Sequence, residues 1–266
     1  SVMDGFQGKD AFPNTVTAID QAGIRGFIVT GSTTYIEGEY GALSAAMHLR
    51  YTDGLEIYNG TWERWYDTGT QNPAVNDVAV RTVQLDESKF YVFGYTNGFV
   101  PTNYDIWYYP LDDTGTPGDN KSISFTTTDM LSDVSNSSSN LAFGSISTAE
   151  SSGTKSLVFS RFPIDSKVEN NQEVSKKLGN PINKTLSIST SRNLESSKIV
   201  SKRSGEGYYV VANEIELDNS RNIWISSVDE AGNVLWSSSF GAKENDDRGG
   251  GVAELPNGRV MVLGTM

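Results

Sequence analysis

The chain has 266 residues, of which 37% are hydrophobic and 11% aromatic, and its 33 acidic and 21 basic residues give a formal net charge of −12. This length and composition allow one large or two small β domains and exclude a disordered chain. The negative charge argues against nucleic acid or an anionic membrane surface as partner, because both would repel the protein.

Cysteine is absent and His48 is the only histidine. Disulfides, thiolate metal sites, His-based triads and multi-His metal sites are therefore excluded. No apolar run reaches the roughly 18 residues that a membrane span needs. The sequence predicts no cofactor, no metal and no membrane span.

The first predicted cycle of strands has an apolar strand at residues 27–31, ending in Gly31. A second strand at residues 47–52 runs into Asp53-Gly54, and a third is predicted at residues 61–66. Asp accepts backbone N–H bonds at the start of such a turn and Gly supplies positive φ, so this is the chemistry of a β hairpin.

The same order of elements recurs further along the chain. In the second cycle the strand at residues 90–94 ends in Gly94, and the next strand leads to the turn 112–115. In the third, the strand 141–144 ends in Gly144, and the polar segment 166–182 is an insertion, either a hairpin or a short helix.

The fourth cycle is the clearest. Four strands are predicted at residues 197–204, 208–213, 222–228 and 234–240, with the turn 229–233 before the last of them. A fifth cycle contains the strand 260–264. The small residues that end the apolar strand of each cycle lie at positions 31, 94, 144, 212 and 264. A β repeat of roughly 50 residues is typical of propeller blades.

The stretch Trp236-x4-Gly241-x5-Asp247, the later Asn257-Gly258 and the preceding residues 222–236 resemble a known repeat. They are similar to the β-propeller repeats of secreted and surface-anchored proteins of Bacteroidetes-type bacteria. The resemblance implies an extracytoplasmic bacterial protein, at the cell surface, in the periplasm or secreted, with a lipid anchor on a Cys upstream of Ser1 as one form of attachment. It implies no activity.

We therefore predict an all-β fold, a single β-propeller domain over residues 1–266 with four-stranded antiparallel blades. Five blades closed by an N-terminal strand at residues 1–8 are favoured, and part of a six- to eight-bladed propeller is the alternative. The predicted blades are residues 15–69, 76–126, 130–190, 197–241 and 249–266. Trp107 and Trp224 occupy equivalent positions, which indicates core packing.

Candidate ligand-binding residues lie in the connections that do not recur. Loops are predicted at residues 32–46, 96–105, 145–155 and 214–221, all at one end of the blades and rich in acidic and aromatic residues. Loops on a rigid scaffold are common binding sites. The ligand-binding candidates are Tyr35, Tyr40, Phe99, Tyr104, Asp105, Asp246 and Asp247.

No catalytic set is recognisable in the sequence. The favoured function is non-enzymatic binding of a protein or a glycan through this acidic loop face. Two alternatives stay open at this point: a glycan hydrolase or lyase that uses a carboxylate pair, and a purely structural envelope or adhesion domain.

Overall fold

The computed structural model describes residues 11–21, 24–34, 40–52, 55–66, 75–99, 102–170, 172–186, 193–203, 205–242 and 245–265. All secondary-structure elements in these ranges are β strands, which confirms the predicted all-β class. The predicted strand at residues 1–8 lies outside the described residues. The chain divides into two compact units, Ser1–Phe125 and Thr126–Met266.

The first unit holds two four-stranded antiparallel sheets whose strands follow chain order. Sheet 1 consists of β1 (Ala11–Gln21), β2 (Ile24–Thr34), β3 (Tyr40–Thr52) and β4 (Leu55–Tyr66). Sheet 2 consists of β5 (Asp77–Asp86), β6 (Lys89–Thr96), β7 (Asp105–Asp112) and β8 (Lys121–Ile123).

The second unit holds three sheets. Sheet 3 consists of β9 (Thr128–Asn136), β10 (Ala142–Ser151), β11 (Thr154–Glu169), β12 (Gln172–Leu178) and β13 (Ile182–Thr185). Sheet 4 consists of β14 (Asn193–Ser201), β15 (Tyr208–Ile215), β16 (Arg221–Val228) and β17 (Val234–Phe240). Sheet 5 consists of β18 (Arg248–Glu254) and β19 (Val260–Thr265).

The insertion of the third cycle forms a hairpin and not a helix. β11 is long enough for β13 to pair with its middle and for β12 to pair with its C-terminal part. Each of the five sheets covers one predicted cycle of strands, whereas their assembly as blades of one propeller stays a prediction.

The predicted turn chemistry is confirmed in two cycles. The Asp112 Oδ1 atom accepts the backbone N–H groups of Thr114 at 2.9 Å and Thr116 at 2.8 Å. Asp229 holds the equivalent turn of sheet 4 in the same way, and the glycines that follow, Gly115 and Gly232, have φ values of 76° and 77°. These aspartates build turns and do not face a ligand.

A one-residue β-bulge recurs in the first strand of every sheet. The strand register skips one residue there, which bends the strand toward its partner. The skipped residues are Asn14, Val80, Ser132, Ser197 and Gly250.

The recurring small residues lie opposite these bulges. A Cβ on Gly94 would lie 1.9 Å from the Val78 carbonyl oxygen, so a larger side chain is excluded there. The third cycle departs from the expectation, because its bulge places Ser147 at this position and not Gly144. Gly144 is small for another reason, since a Cβ there would lie 2.6 Å from the ring of Tyr208.

Hydrogen bonds at the bulges join neighbouring sheets within each unit. In the first unit the Asn14 side-chain amide donates to the carbonyl oxygen of Ala79 at 2.7 Å. In the second unit the Ser132 hydroxyl donates to the Ser196 carbonyl at 2.9 Å, and the Ser197 hydroxyl donates to the Gly249 carbonyl. The first strands of adjacent sheets are therefore neighbours.

Apolar side chains fill the space between joined sheets. Trp107 is fully buried in a cluster that spans sheets 1 and 2, and Trp224 is buried in a cluster that spans sheets 3 and 4. The predicted packing role of these two residues is confirmed. A third cluster joins sheets 4 and 5 through Val211, Ile223 and Ile225.

Candidate functional site

Three of the four predicted loops are much shorter in the structure. Residues 32–34 belong to β2 and residues 40–46 to β3, and residues 35–39 lie outside the described part of the chain. Residues 145–155 are strand except for a two-residue turn at Ser152 and Gly153, where φ is 51° and 78°. Residues 214 and 215 belong to β15 and residue 221 to β16. Cross-strand pairing continues through these residues.

The connection between β6 and β7 is described at residues 97–99 and 102–104, none of which belongs to a strand, and its base is held by hydrogen bonds. The Thr96 hydroxyl donates to the buried Asp77 carboxylate and accepts the Gly98 N–H at 2.8 Å. The Asn97 side-chain oxygen accepts the Asn76 N–H at 2.6 Å. These hydrogen bonds fix the first end of the loop, where it leaves β6, against the start of β5.

Aromatic residues continue this support toward the surface. The Tyr104 hydroxyl accepts a hydrogen bond from the Asn76 amide at 3.2 Å, and its ring packs edge-on against Tyr95 with centroids 5.7 Å apart. Burial first, and then the neighbouring Tyr104, raise the pKa of Tyr95 above its usual value. Tyr95 is therefore a neutral packing element of the loop base.

The predicted site residues of this loop have different environments. Phe99 is 41% exposed at the loop tip, whereas Asp105 is only 5% exposed and begins β7 opposite Thr96. Phe99 is available to a ligand, Tyr104 packs against Tyr95, and Asp105 is part of the sheet. Tyr35 lies outside the described residues, and only the backbone of Tyr40, at the start of β3, is described.

Asp246 and Asp247 lie in the second unit and differ from each other. Asp247 is fully buried, and its Oδ2 atom accepts the Ala242 N–H at 2.6 Å. A Cβ on Gly241 would lie 2.6 Å from this carboxylate, so the Gly and Asp of the Trp-Gly-Asp motif fit each other. The motif builds the connection from sheet 4 to sheet 5.

Asp246 belongs to a chain of ion pairs across sheets 3, 4 and 5. Arg221 lies 3.4 Å from Glu195 and 3.1 Å from Asp246, and Arg248 lies 2.8 Å from Asp246. Lys155 donates to Glu195 from the turn of sheet 3. Although burial raises it, contacts with Lys155 and Arg221 hold the pKa of Glu195 below its usual value. The predicted acidic surface is charge-compensated at this point.

Other buried carboxylates are satisfied by hydroxyl groups. Asp129 accepts from Thr126 at 2.9 Å, and Glu214 accepts from Ser239 at 2.6 Å. Within the part of the chain that is described, no group of three His, Asp or Glu residues is placed to hold a metal ion. Nor do those residues include a helix of the length and apolarity that crossing a membrane would take.

The sequence reasoning missed exposed apolar side chains on β17 and β19 of the second unit. Trp236 and Phe240 on β17 are each 44% exposed, and Met261 and Leu263 on β19 are 42% and 59% exposed. The sequence predicts strands at residues 234–240 and 260–264, but the face left uncovered depends on which sheets pack together.

Comparisons with known proteins add no identity. No family model matches the chain, and no curated protein matches it. Among solved structures, a hypothetical protein from Leishmania major is similar with a TM-score of 0.43 and 11% sequence identity, over 98% of this chain and 82% of that one. A TM-score of this size does not establish a shared fold.

Proposed function

We propose that the chain is a non-enzymatic β-propeller that binds a protein or a glycan through the β6–β7 loop. The five sheets would be its blades. Strand order within the sheets and the repeated hydrogen bonds between first strands support this architecture, because propeller blades are antiparallel sheets whose inner strands are neighbours. We place the protein outside the cytoplasm, on the basis of the repeat resemblance alone.

The observation that carries the binding proposal is the exposed Phe99 on a loop with a fixed base. An aromatic side chain supplies a large apolar contact, and a loop whose base is already fixed loses less conformational entropy on binding. Thr102 and Asn103 are polar residues of the same connection. This combination suits a protein surface or a sugar ring.

The roles of the described carboxylates support a non-enzymatic function. Asp77 and Asp247 are buried as supports of loops, Asp112 and Asp229 hold turns, and Asp246 lies between two arginines. Each of these acids has a structural partner, whereas a catalytic acid needs access to its substrate.

The test is a screen of the purified chain against a glycan array and a library of extracellular proteins. Phe99→Ala should weaken binding to any ligand found at least tenfold and leave thermal unfolding unchanged. Leu217→Ala is the matched control, since Leu217 is fully exposed on a turn of the second unit. Binding that is unaffected by Phe99→Ala, or turnover of a glycan, would refute the proposal.

A further inference from the structure

The β6–β7 loop is uncharged in a protein that is otherwise rich in charge. Charged residues make up 20% of the chain and its net charge is −12, but residues 96–104 include no Asp, Glu, Lys, Arg or His. This segment consists of amide, hydroxyl, aromatic and apolar residues. A ligand that contacts Phe99 therefore meets no charged residue from this loop.

Two acidic residues lie at the base of the loop, in one row across sheet 2. Thr96 pairs with Asp77 of β5 on one side and with Asp105 of β7 on the other. Because neighbouring strands lie about 4.8 Å apart, the Cα atoms of the two aspartates are about 10 Å apart. Both side chains are buried, so they do not contact a ligand at the loop tip. Any electrostatic field that they add at the loop is negative.

This distribution of charge disfavours charged ligands. A glycan that carries sialic acid, uronic acid or sulfate finds no cation among residues 96–104, and the net charge of −12 repels it. Charged protein surfaces are steered and oriented by complementary charges on their partners, and this loop offers none. An uncharged ligand avoids both penalties, because it needs no ion pair to replace its hydration.

The groups that the loop does present suit an uncharged sugar. Phe99 is exposed, and the face of an aromatic ring carries partial negative charge. The ring C–H groups of a pyranose carry partial positive charge, because each carbon is bonded to oxygen, so the two faces attract each other. Amide and hydroxyl side chains both donate and accept hydrogen bonds, as sugar hydroxyl groups do. Thr102 is exposed, and its hydroxyl donates to the Asn103 side-chain oxygen at 3.2 Å.

We propose that the ligand of the β6–β7 loop is a neutral glycan, one pyranose ring of which stacks on Phe99. This inference rests on the proposed binding function and narrows its ligand from a protein or a glycan to an uncharged sugar. Hydrogen bonds to amide and hydroxyl groups of the loop orient the sugar. Since the contact contains no ion pair, its affinity is insensitive to ionic strength.

The probes are neutral oligosaccharides of glucose, mannose and galactose, printed on one array beside sialylated, uronic-acid and sulfated oligosaccharides. The full chain should bind one or more neutral members and none of the acidic ones more tightly. Titration calorimetry with the neutral oligosaccharide that binds best then measures its affinity at about 0.01 M and about 1 M NaCl, where the Debye length is about 30 Å and about 3 Å. The two affinities should agree within about twofold.

Variants separate stacking on a sugar ring from a general apolar contact. Phe99→Tyr keeps the aromatic face and should keep binding, whereas Phe99→Leu keeps only an apolar side chain and should weaken binding about fivefold. Thr102→Lys adds a cation to the loop and should raise the affinity for acidic relative to neutral oligosaccharides about threefold. Thr102→Gln is its uncharged control and should leave that ratio unchanged. Leu217→Ala should bind like the wild type.

Three results would overturn the inference: no binding to any neutral oligosaccharide, tighter binding to acidic ones, or wild-type affinity in Phe99→Leu. If the chain instead binds a protein and Phe99→Ala weakens that binding, the proposed function stands and only the neutral glycan is wrong. If a neutral glycan binds but Phe99→Ala has no effect, the site lies elsewhere and both proposals fail. The two proposals therefore fail in distinguishable ways.

Discussion

The close approach at the β-bulge makes Gly94 the most sensitive small residue in the first unit. In Gly94→Ala the new Cβ would lie 1.9 Å from the Val78 carbonyl oxygen and 2.9 Å from its carbonyl carbon. An ordinary carbon–oxygen contact is about 3.3 Å, so the backbone of β5 must move by about 1.4 Å. Overpacking costs ~1–3 kcal/mol and a lost ladder hydrogen bond about 1 kcal/mol. We expect a loss of about 2–4 kcal/mol.

Gly250→Ala is the matched control, because Gly250 is the bulged residue of the equivalent strand pair in sheet 5. A Cβ there meets no atom within 4 Å. We expect a change within about 0.5 kcal/mol. Urea unfolding followed by tryptophan fluorescence measures both variants. If Gly94→Ala unfolds within about 0.5 kcal/mol of the wild type, the bulge does not explain the recurring small residue.

Three further predictions concern the other recurring features. Ser197→Ala removes the hydrogen bond to the Gly249 carbonyl and should lower the free energy of unfolding by about 1 kcal/mol. Hydrogen exchange of the β18 amides should become faster, and unchanged exchange would contradict the prediction. Although burial raises the pKa of Asp229, hydrogen bonds within the turn hold it below its usual 3.8. The folding stability that these hydrogen bonds contribute is therefore present above pH 3.8 and is lost as the pH falls further. Asp229→Ala should therefore destabilise the fold at pH 7 and flatten its acid unfolding profile. Burial, and then Glu230, raise the pKa of Tyr208 above 10.0. Above pH 10.0 unfolding therefore releases a proton that the folded state keeps, and the free energy of unfolding falls as the pH rises. Tyr208→Phe should make this fall with pH less steep.

Local chemistry made much of the strand order predictable. An aspartate followed by Gly at a turn satisfies its own backbone, so Asp112 and Asp229 mark hairpins without any help from the rest of the chain. Trp107 and Trp224 recur at the same place in their cycles and are both buried. Periodic residues that satisfy local turns and a common core can be recognised in a single sequence.

The candidate site was predictable only in part. Phe99 was found because it lies in a loop that differs between cycles, and it is exposed. Asp105 and Asp247 also lie among polar residues in the sequence, but both are buried. Asp105 pairs with Thr96 across the sheet, and Asp247 accepts the Ala242 N–H. Their burial depends on contacts with residues at other positions in the chain.

The sequence established the β class, the cycles of strands and the turn residues, since these depend on alternation and on neighbours within a few positions. The third bulge lies opposite Ser147 and not Gly144, because register is set by pairing along the whole strand. In the same way, Trp236 is half exposed while Trp224 is buried in the cluster between sheets 3 and 4. Which side of a strand is covered depends on the packing of whole sheets, and that packing sums many contacts between residues far apart in the chain.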